Sequence, residues 1–260
     1  MRRSYLDYNA TAPLRAEARA AMIAVMDQVG NPSSVHAEGR AAKAIVEKAR
    51  GQIAMAFGAV GADIVFTSGA TEAAALACAG RGLRGADIEH DAVAAWIQPD
   101  QLVRPDGGVA LTEPEKSVLQ MANSETGIVQ SLPKGLAVTD ASQAFGKLPV
   151  AFNWLGADMA LISAHKIGGP KGIGAVVLRR GCDLAAQIKG GGQEMGRRAG
   201  TENVVAIAGF GAAAEGAAQD LAAGVWQRVA EIRNILETAL ETGSKEIILV
   251  GRDTERLPNT

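Results

Sequence analysis

The apolar run Met159-Ala160-Leu161-Ile162 leads into Ser163-Ala164-His165-Lys166 and then into the glycine-rich Gly168-Gly169-Pro170-Lys171-Gly172. At the end of a buried strand, arginine or an apolar residue would serve structure better than lysine. Lysine offers an amine whose pKa burial can lower, and therefore a Schiff-base former. Taken singly, Lys166 also reads as a solvated side chain in a flexible loop. Three further runs end in polar residues. Ile64-Val65-Phe66 meets Thr67-Ser68-Gly69-Ala70-Thr71-Glu72, a small-residue turn that opens a helix. Its backbone N–H groups and helix dipole suit an anion, most often phosphate, and its plainer reading is a capping box. Leu136-Ala137-Val138 meets Thr139-Asp140-Ala141-Ser142-Gln143, which leaves a carboxylate able to cap a helix, bind a metal or keep a heteroaromatic nitrogen protonated. Ile88-Glu89-His90 presents an imidazole that can stack on a flat group, exchange protons near pH 7, or simply hold structure.

These side chains need a scaffold that brings them to one edge. Leu14, Ala18, Met22, Val25 and Met26 recur at helical spacing, with Pro13 suited to a first turn and Gly30 to the exit. A second helix is written by Ala42, Ile45, Val46, Ala49, Ile53 and Phe57, with Gly58 after it. The short apolar runs 64–66, 118–121, 136–138 and 159–162 read as buried strands, and alternate with alanine-rich helical stretches at 71–80 and 203–222. The fold class expected is α/β, a mainly parallel sheet flanked by helices. Gly174 to Leu178 is one more strand, expected to pair antiparallel because its link is too short for a helical crossover. Val225 to Leu240 reads as an amphipathic helix and Ile247 to Val250 as a short strand. The division expected is a large cofactor-binding domain over 11–224 and a partial small domain from 1–10 and 225–260, truncated before its core closes.

In such a sheet, ligands gather at the carboxyl ends of strands. An anion turn, an imidazole, a carboxylate and a lysine at successive strand ends make the kind of site that pyridoxal 5′-phosphate requires. Neither G-x-G-x-x-G after a strand nor G-x-x-x-x-G-K-[ST] is present to suggest another nucleotide-like cofactor. The 260 residues, 48% apolar and 21% charged, suffice for one large core. A net charge of -2 provides no basic field for nucleic acid or an anionic membrane. Cys78 and Cys182 form neither a disulfide framework nor a zinc pair, so a reducing compartment is expected. The opening MRRSYLDYNATAP lacks an apolar h-region and no apolar run is long enough to span a bilayer, which makes the expected location cytoplasmic.

The strings YLDYNATAP, GNPSSVHAEGR, FTSGATE, EHDAV, TDASQAFGKLPV, SAHKIGGPKGIGA and GGGQEMGRRAGTEN, in that order from Tyr5 to Asn203, resemble the signature segments of the cysteine desulfurase family. That family has the fold type I of pyridoxal-phosphate enzymes. The resemblance implies that Lys166 carries the cofactor as a Schiff base, Asp140 pairs with the pyridine nitrogen, Gln143 faces the phenolic oxygen, and His90 stacks on the ring and moves protons. It assigns the phosphate to Ala70, Thr71, Ser163 and His165, and gives Thr201 the phosphate of a neighbouring subunit, hence a homodimer. The implied reaction takes L-cysteine to L-alanine with sulfur left as an enzyme persulfide, for an acceptor protein in iron–sulfur cluster assembly or another sulfur-transfer route.

The sequence departs from the family in specific places. Ser124 stands where the family has a second asparagine that contacts the cofactor, with Asn123 as the substitute. Ala73-Ala74-Ala75 replace polar residues, Met195 replaces an arginine, and the stretches between His90 and Asn123 and between Gly127 and Asp140 are short. Neither the family's mobile-loop cysteine nor its carboxylate-binding arginine has a counterpart. Cys78 reads as a buried small hydrophobe and Cys182 as an exposed thiol made reactive by Arg179 and Arg180. The alternative readings are a selenocysteine lyase or another β-elimination on the same scaffold, and a non-catalytic cofactor-binding or scaffold protein.

Overall fold

The computed structural model describes residues 4–244 and 246–260. The first two periodic stretches become α1 (Ala16–Met26) and α2 (Ala37–Ala56), the latter capped by the His36 ring, which accepts from Gly39 N–H. The chain continues through β1 (Asp63–Thr67), α3 (Ala70–Cys78), β2 (Leu83–Gly85), α4 (Asp91–Ala94) and the short β3 (Ile97–Pro99), β4 (Leu102–Val103) and β5 (Val109–Ala110). Then follow β6 (Val118–Gln120), β7 (Leu136–Asp140), α5 (Phe152–Leu155), β8 (Ala157–Ser163), β9 (Gly174–Leu178), α6 (Val204–Ala222) and α7 (Val225–Gly243).

Five strands form the main sheet in the order β1-β9-β8-β7-β6. β6, β7 and β8 pair in parallel, while β9 is antiparallel to both β8 and β1, as the short link 164–173 requires. The alternation of side chains along each strand feeds two layers. Ile64, Phe66, Ala160, Ile162 and Val177 meet Val46, Ile53, Ile207 and Phe210 on one face. Val65, Leu161, Val176 and Leu178 meet Ala73, Ala74 and Ala77 of α3 on the other. Small residues let the helices approach closely: a Cβ on Gly211 of α6 would stand 2.7 Å from Ala49 Cα of α2.

Two expected strands are not strands. β2 ends at Gly85, so Ile88-Glu89-His90 forms a turn after it, closed by Glu89 N–H donating to Ala86 O. Ile247–Val250 is irregular and exposed, Ile248 at 88%, because the run has no neighbouring strand to complete a ladder. α7 is longer than expected and has no buried residue. The following tail returns to the main body, with Leu257 fully buried and its N–H donating to Gly127 O. Among the described residues no helix is long and apolar enough to cross a membrane.

Candidate active site

Sheet register explains why distant sequence segments meet. Thr67 and Ser163 both pair with Gly174, Asp140 pairs with Leu161 and with Gln120, and so the ends of β1, β8, β7 and β6 share one edge. The loops leaving that edge enclose a cavity of about 580 Å³. Of the residues singled out in the sequence, Lys166, His90, Asp140, Ala70, Thr71, Gln143, Ser163, His165 and Ser124 line it. Asn123 and Thr201 do not.

Lys166 lies on a 3-10 turn (Ala164–Ile167) that ends at Gly168 with φ +79°, where only glycine is unstrained. The N-terminal segment runs along this turn, with Ala12 N–H donating to His165 O and Arg15 N–H to Gly168 O, each at 2.8 Å. The amine Nζ donates to the main-chain oxygens of Asn9 and, at 3.2 Å, Ala10. Burial lowers the Lys166 pKa, an effect opposed by the charges of Asp140, Asp7 and Glu125. Asp140 is held at the end of β7 by Ser142 N–H, 2.8 Å from Oδ1. Gln143 donates from Nε2 to Asn9 O at 2.9 Å and accepts on Oε1 from Lys147 at 2.8 Å.

At the opposite end, α3 starts on Gly69 without a side-chain cap, which leaves the first-turn N–H groups of Ala70 and Thr71 for an anion. The capping-box reading survives in part: Glu72 accepts from Ser68 N–H at 2.7 Å, while also pairing with Arg198 at 2.8 Å. Gly174 matters here, since a Cβ on it would come within 2.7 Å of Gly69 C and of Ile162 O. His165 is fixed by Thr11 Oγ1, 3.1 Å from Nδ1, and burial with the neighbouring charges of Lys166 and Lys171 pushes it down to about 4. It is therefore neutral at pH 7. His90 caps α4 with Nδ1, which accepts from Ala92 N–H at 3.1 Å, and this assigns the ring proton of the neutral form to Nε2.

Asn123 builds the loop rather than the wall. Its Oδ1 accepts from the N–H groups of Glu125 and Thr126, and Nδ2 donates to Ile88 O at 3.1 Å. Thr201 lies in a separate recess of about 170 Å³ that shares Ser68 and Gly172 with the main cavity. Sequence reasoning assigned no role to Asn9 or Lys147. Both stand in strings quoted for the resemblance, and a lysine inside the otherwise apolar Phe145-Gly146-Lys147-Leu148 was the available signal. Cys182 corrects an expectation: it is partly buried, and burial followed by the Asp158 charge raises its pKa despite Arg179 and Arg81. Cys78 is buried and pushed up to about 12 by burial. Cys182 follows β9, whose direction places it at the sheet edge opposite Lys166.

A mainly parallel sheet with a lysine turn, a carboxylate and an open helix N-terminus along one edge defines a fold type I, pyridoxal-phosphate-dependent protein. The sequence profile of class-V aminotransferases matches residues 4–94 and 111–260. The intervening 95–110 contain β3, β4 and β5, in the region read as shortened. The chain is 35% identical to the cysteine desulfurase IscS of Dictyoglomus turgidum, over 99% of this chain and 74% of that protein. It is 39% identical to a cysteine desulfurase of Frankia sp., over 98% and 72%. Among solved structures, a NifS-like protein from Rickettsia africae superposes with TM-score 0.89 at 32% identity, covering 98% of this chain and 79% of that one. SspA in complex with cysteine gives 0.75 at 31%, over 82% and 72%. The chain belongs to the cysteine desulfurase family.

Enzymes of this family depend on pyridoxal 5′-phosphate, and the cavity fits that group. Ser142 Oγ lines the cavity, is buried, and has no hydrogen-bond partner among the described residues. The uncapped α3 terminus presents N–H groups of the kind a phosphate needs, and the Asp140 carboxyl group lines the same cavity.

Proposed function

We propose that this chain binds pyridoxal 5′-phosphate through Lys166 and uses it to activate the Cα of L-cysteine. The observation that carries this reading is the convergence of Lys166, Asp140 and the Ser68–Thr71 turn on one cavity. When bound, the cofactor supplies an aldehyde for amine exchange and a protonated ring that takes up electron density from Cα. Ala70, Thr71, Ser163 and His165 hold the phosphate, the last as a neutral donor. Asp140 keeps the ring nitrogen protonated, and Gln143, with Oε1 already occupied by Lys147, presents a donor to the phenolic oxygen. His90 Nε2 and Lys166 Nζ are the groups that move protons. SspA was solved with cysteine, which supports the substrate class.

Sulfur abstraction in the family reaction needs a thiolate at the substrate, and neither Cys78 nor Cys182 is placed for it. The reading therefore assigns cofactor binding and Cα activation to these residues and leaves the sulfur acceptor outside them. Thr201, beside the Ser68 turn, contributes to the phosphate of a second copy in a cytoplasmic homodimer, and the product sulfur goes toward iron–sulfur cluster assembly. The same proposal groups residues 1–10 with 225–260, a grouping supported by the Asn9 side chain bonding both Asn259 and Thr260. The test is borohydride trapping on the full chain with added pyridoxal phosphate. The wild type should carry the label on Lys166 and Lys166→Ala none; a label on Lys171, or no label in the wild type, overturns the reading.

A further inference from the structure

Asn9 gathers three segments of the chain onto one side chain. Its Nδ2 donates to Ser124 O at 2.9 Å and to Thr260 Oγ1 at 2.8 Å. Its Oδ1 accepts from Lys147 Nζ at 2.9 Å and from Asn259 Nδ2 at 2.8 Å. A carboxamide has two donors and two acceptor positions, and here each has a partner, so the side chain cannot turn without breaking bonds. The main-chain oxygen of the same residue is thereby fixed, and it accepts from both Gln143 Nε2 and Lys166 Nζ. Lys147 braces the arrangement from behind. It is 2% exposed, donates to Asn9 Oδ1 and Gln143 Oε1, and has no carboxylate partner among the described residues. A lysine buried in this way is costly, and the proposed chemistry uses it only to orient Gln143.

We propose that the Asn9 and Ala10 carbonyls are the dock that receives the Lys166 amine when a substrate amine replaces it on the cofactor, and that Lys147 is a positioning residue that holds this dock through Asn9. The inference rests on the cofactor reading above. In the exchange, the C=N bond to Lys166 is replaced by a C=N bond to the incoming nitrogen, with no redox partner. The two protons lost by the incoming ammonium end on Lys166 Nζ, which leaves as an ammonium. An ammonium leaving into a partly buried site needs acceptors, and two fixed carbonyl oxygens supply them without reorganisation. Burial lowers the Lys147 pKa to about 7, with the neighbouring Lys166 charge acting the same way, so Lys147 can brace the dock without placing a full second charge beside it at neutral pH.

Displacement of Lys166 by methylamine tests the proposal, read on the full chain as loss of the borohydride-trapped, mass-mapped Lys166 link. Asn9→Ala and Lys147→Met should each raise the methylamine concentration for half-displacement by about tenfold, since hydrogen bonds to charged groups are the stronger kind. The double variant should do no more than Asn9→Ala alone, because Lys147 acts through Asn9. Affinity for pyridoxamine phosphate, which has no aldehyde and cannot link to Lys166, should stay within about twofold in Asn9→Ala, whereas a merely structural loosening would weaken it in step; Lys147→Met also frees Gln143 Oε1 and is read by half-displacement alone. Unchanged half-displacement, additive effects, or a matching loss of pyridoxamine phosphate affinity each overturn the dock. Should Lys147→Met fail to fold, Asn9→Ala at the half-buried position still decides between these outcomes. A wild type that takes up neither pyridoxal nor pyridoxamine phosphate overturns the cofactor reading itself, a result distinct from failure of the dock alone.

Discussion

Glu89 sits beside His90 with its carboxyl almost wholly enclosed. Oε1 accepts from Gln120 N–H at 2.8 Å, while Oε2 is buried without a partner among the described residues. Burial pushes its pKa up from 4.5 to about 8; the Gln120 N–H opposes this and the Asp140 charge adds to it. The folded protein thus holds Glu89 neutral over a range in which the unfolded chain ionises it. Its contribution is complete below about 4.5 and is lost as pH rises through about 8, so stability should fall across that window. Glu89→Gln keeps the acceptor and removes the titration. Its thermal midpoint should match the wild type near pH 5 and exceed it near pH 9, the underlying difference in stability being on the order of a few kcal/mol at most. Equal midpoints at both pH values would show that the carboxyl is better solvated than its surroundings indicate. Asp140→Asn should retain the cofactor but fail to exchange the Cα proton of an amino acid with deuterium from solvent, because the amide cannot keep the ring nitrogen protonated.

Close backbone contact between elements also helps to hold these residues. Gly174 begins β9 where the Gly69 turn rests on it, so Gly174→Ala must move that turn or the end of β8. We expect a loss of roughly 1–3 kcal/mol in urea unfolding, together with weaker pyridoxamine phosphate binding. A variant that loses stability and keeps its affinity would separate the anion turn from the sheet end. The pair of half-buried Arg50 and buried Glu194 acts over a longer span: Glu194 accepts from both terminal nitrogens of Arg50 at 3.0 Å and from Phe66 N–H at 3.0 Å. Glu194 and Met195 adopt positive φ values of 48° and 58°, conformations that this anchoring has to hold. Glu194→Ala leaves the Phe66 N–H without its acceptor, while Arg50 keeps Glu47 and the Ile64 carbonyl, and should cost about 1–3 kcal/mol in the same assay.

At the scale of the molecule, neither cysteine lines the cofactor cavity, and Cys182 lies past the end of β9 at the sheet edge opposite Lys166. With cysteine as substrate and dithiothreitol as reductant, sulfide release should not exceed that of free pyridoxal phosphate. Turnover abolished by Cys182→Ser would place that thiol within reach of the cavity, and turnover surviving loss of both cysteines would indicate direct elimination. If a second copy completes the phosphate site through Thr201, cofactor affinity should rise with protein concentration.

Much of this was legible in the chain because it depends on local pattern. The apolar runs 64–66, 136–138 and 159–162, the helical spacing after Pro13 and from Ala42 to Phe57, and the antiparallel β9 all follow from periodicity and link length, which are properties of neighbouring residues. Lys166, Asp140 and the Ser68–Thr71 turn could be singled out because each ends such a run. The sequence could not tell whether Ile88–His90 or Ile247–Val250 would find a neighbouring strand, since a strand exists only through a partner distant in the chain. Asn123 and Ser124 look equally apt as neighbours in a polar string, and only the turn geometry directs one into the loop and the other to the cavity. Tertiary structure alone brought Asn9 to Lys147, Lys166, Asn259 and Thr260, because hydrogen bonds across more than a hundred residues have no periodic signature.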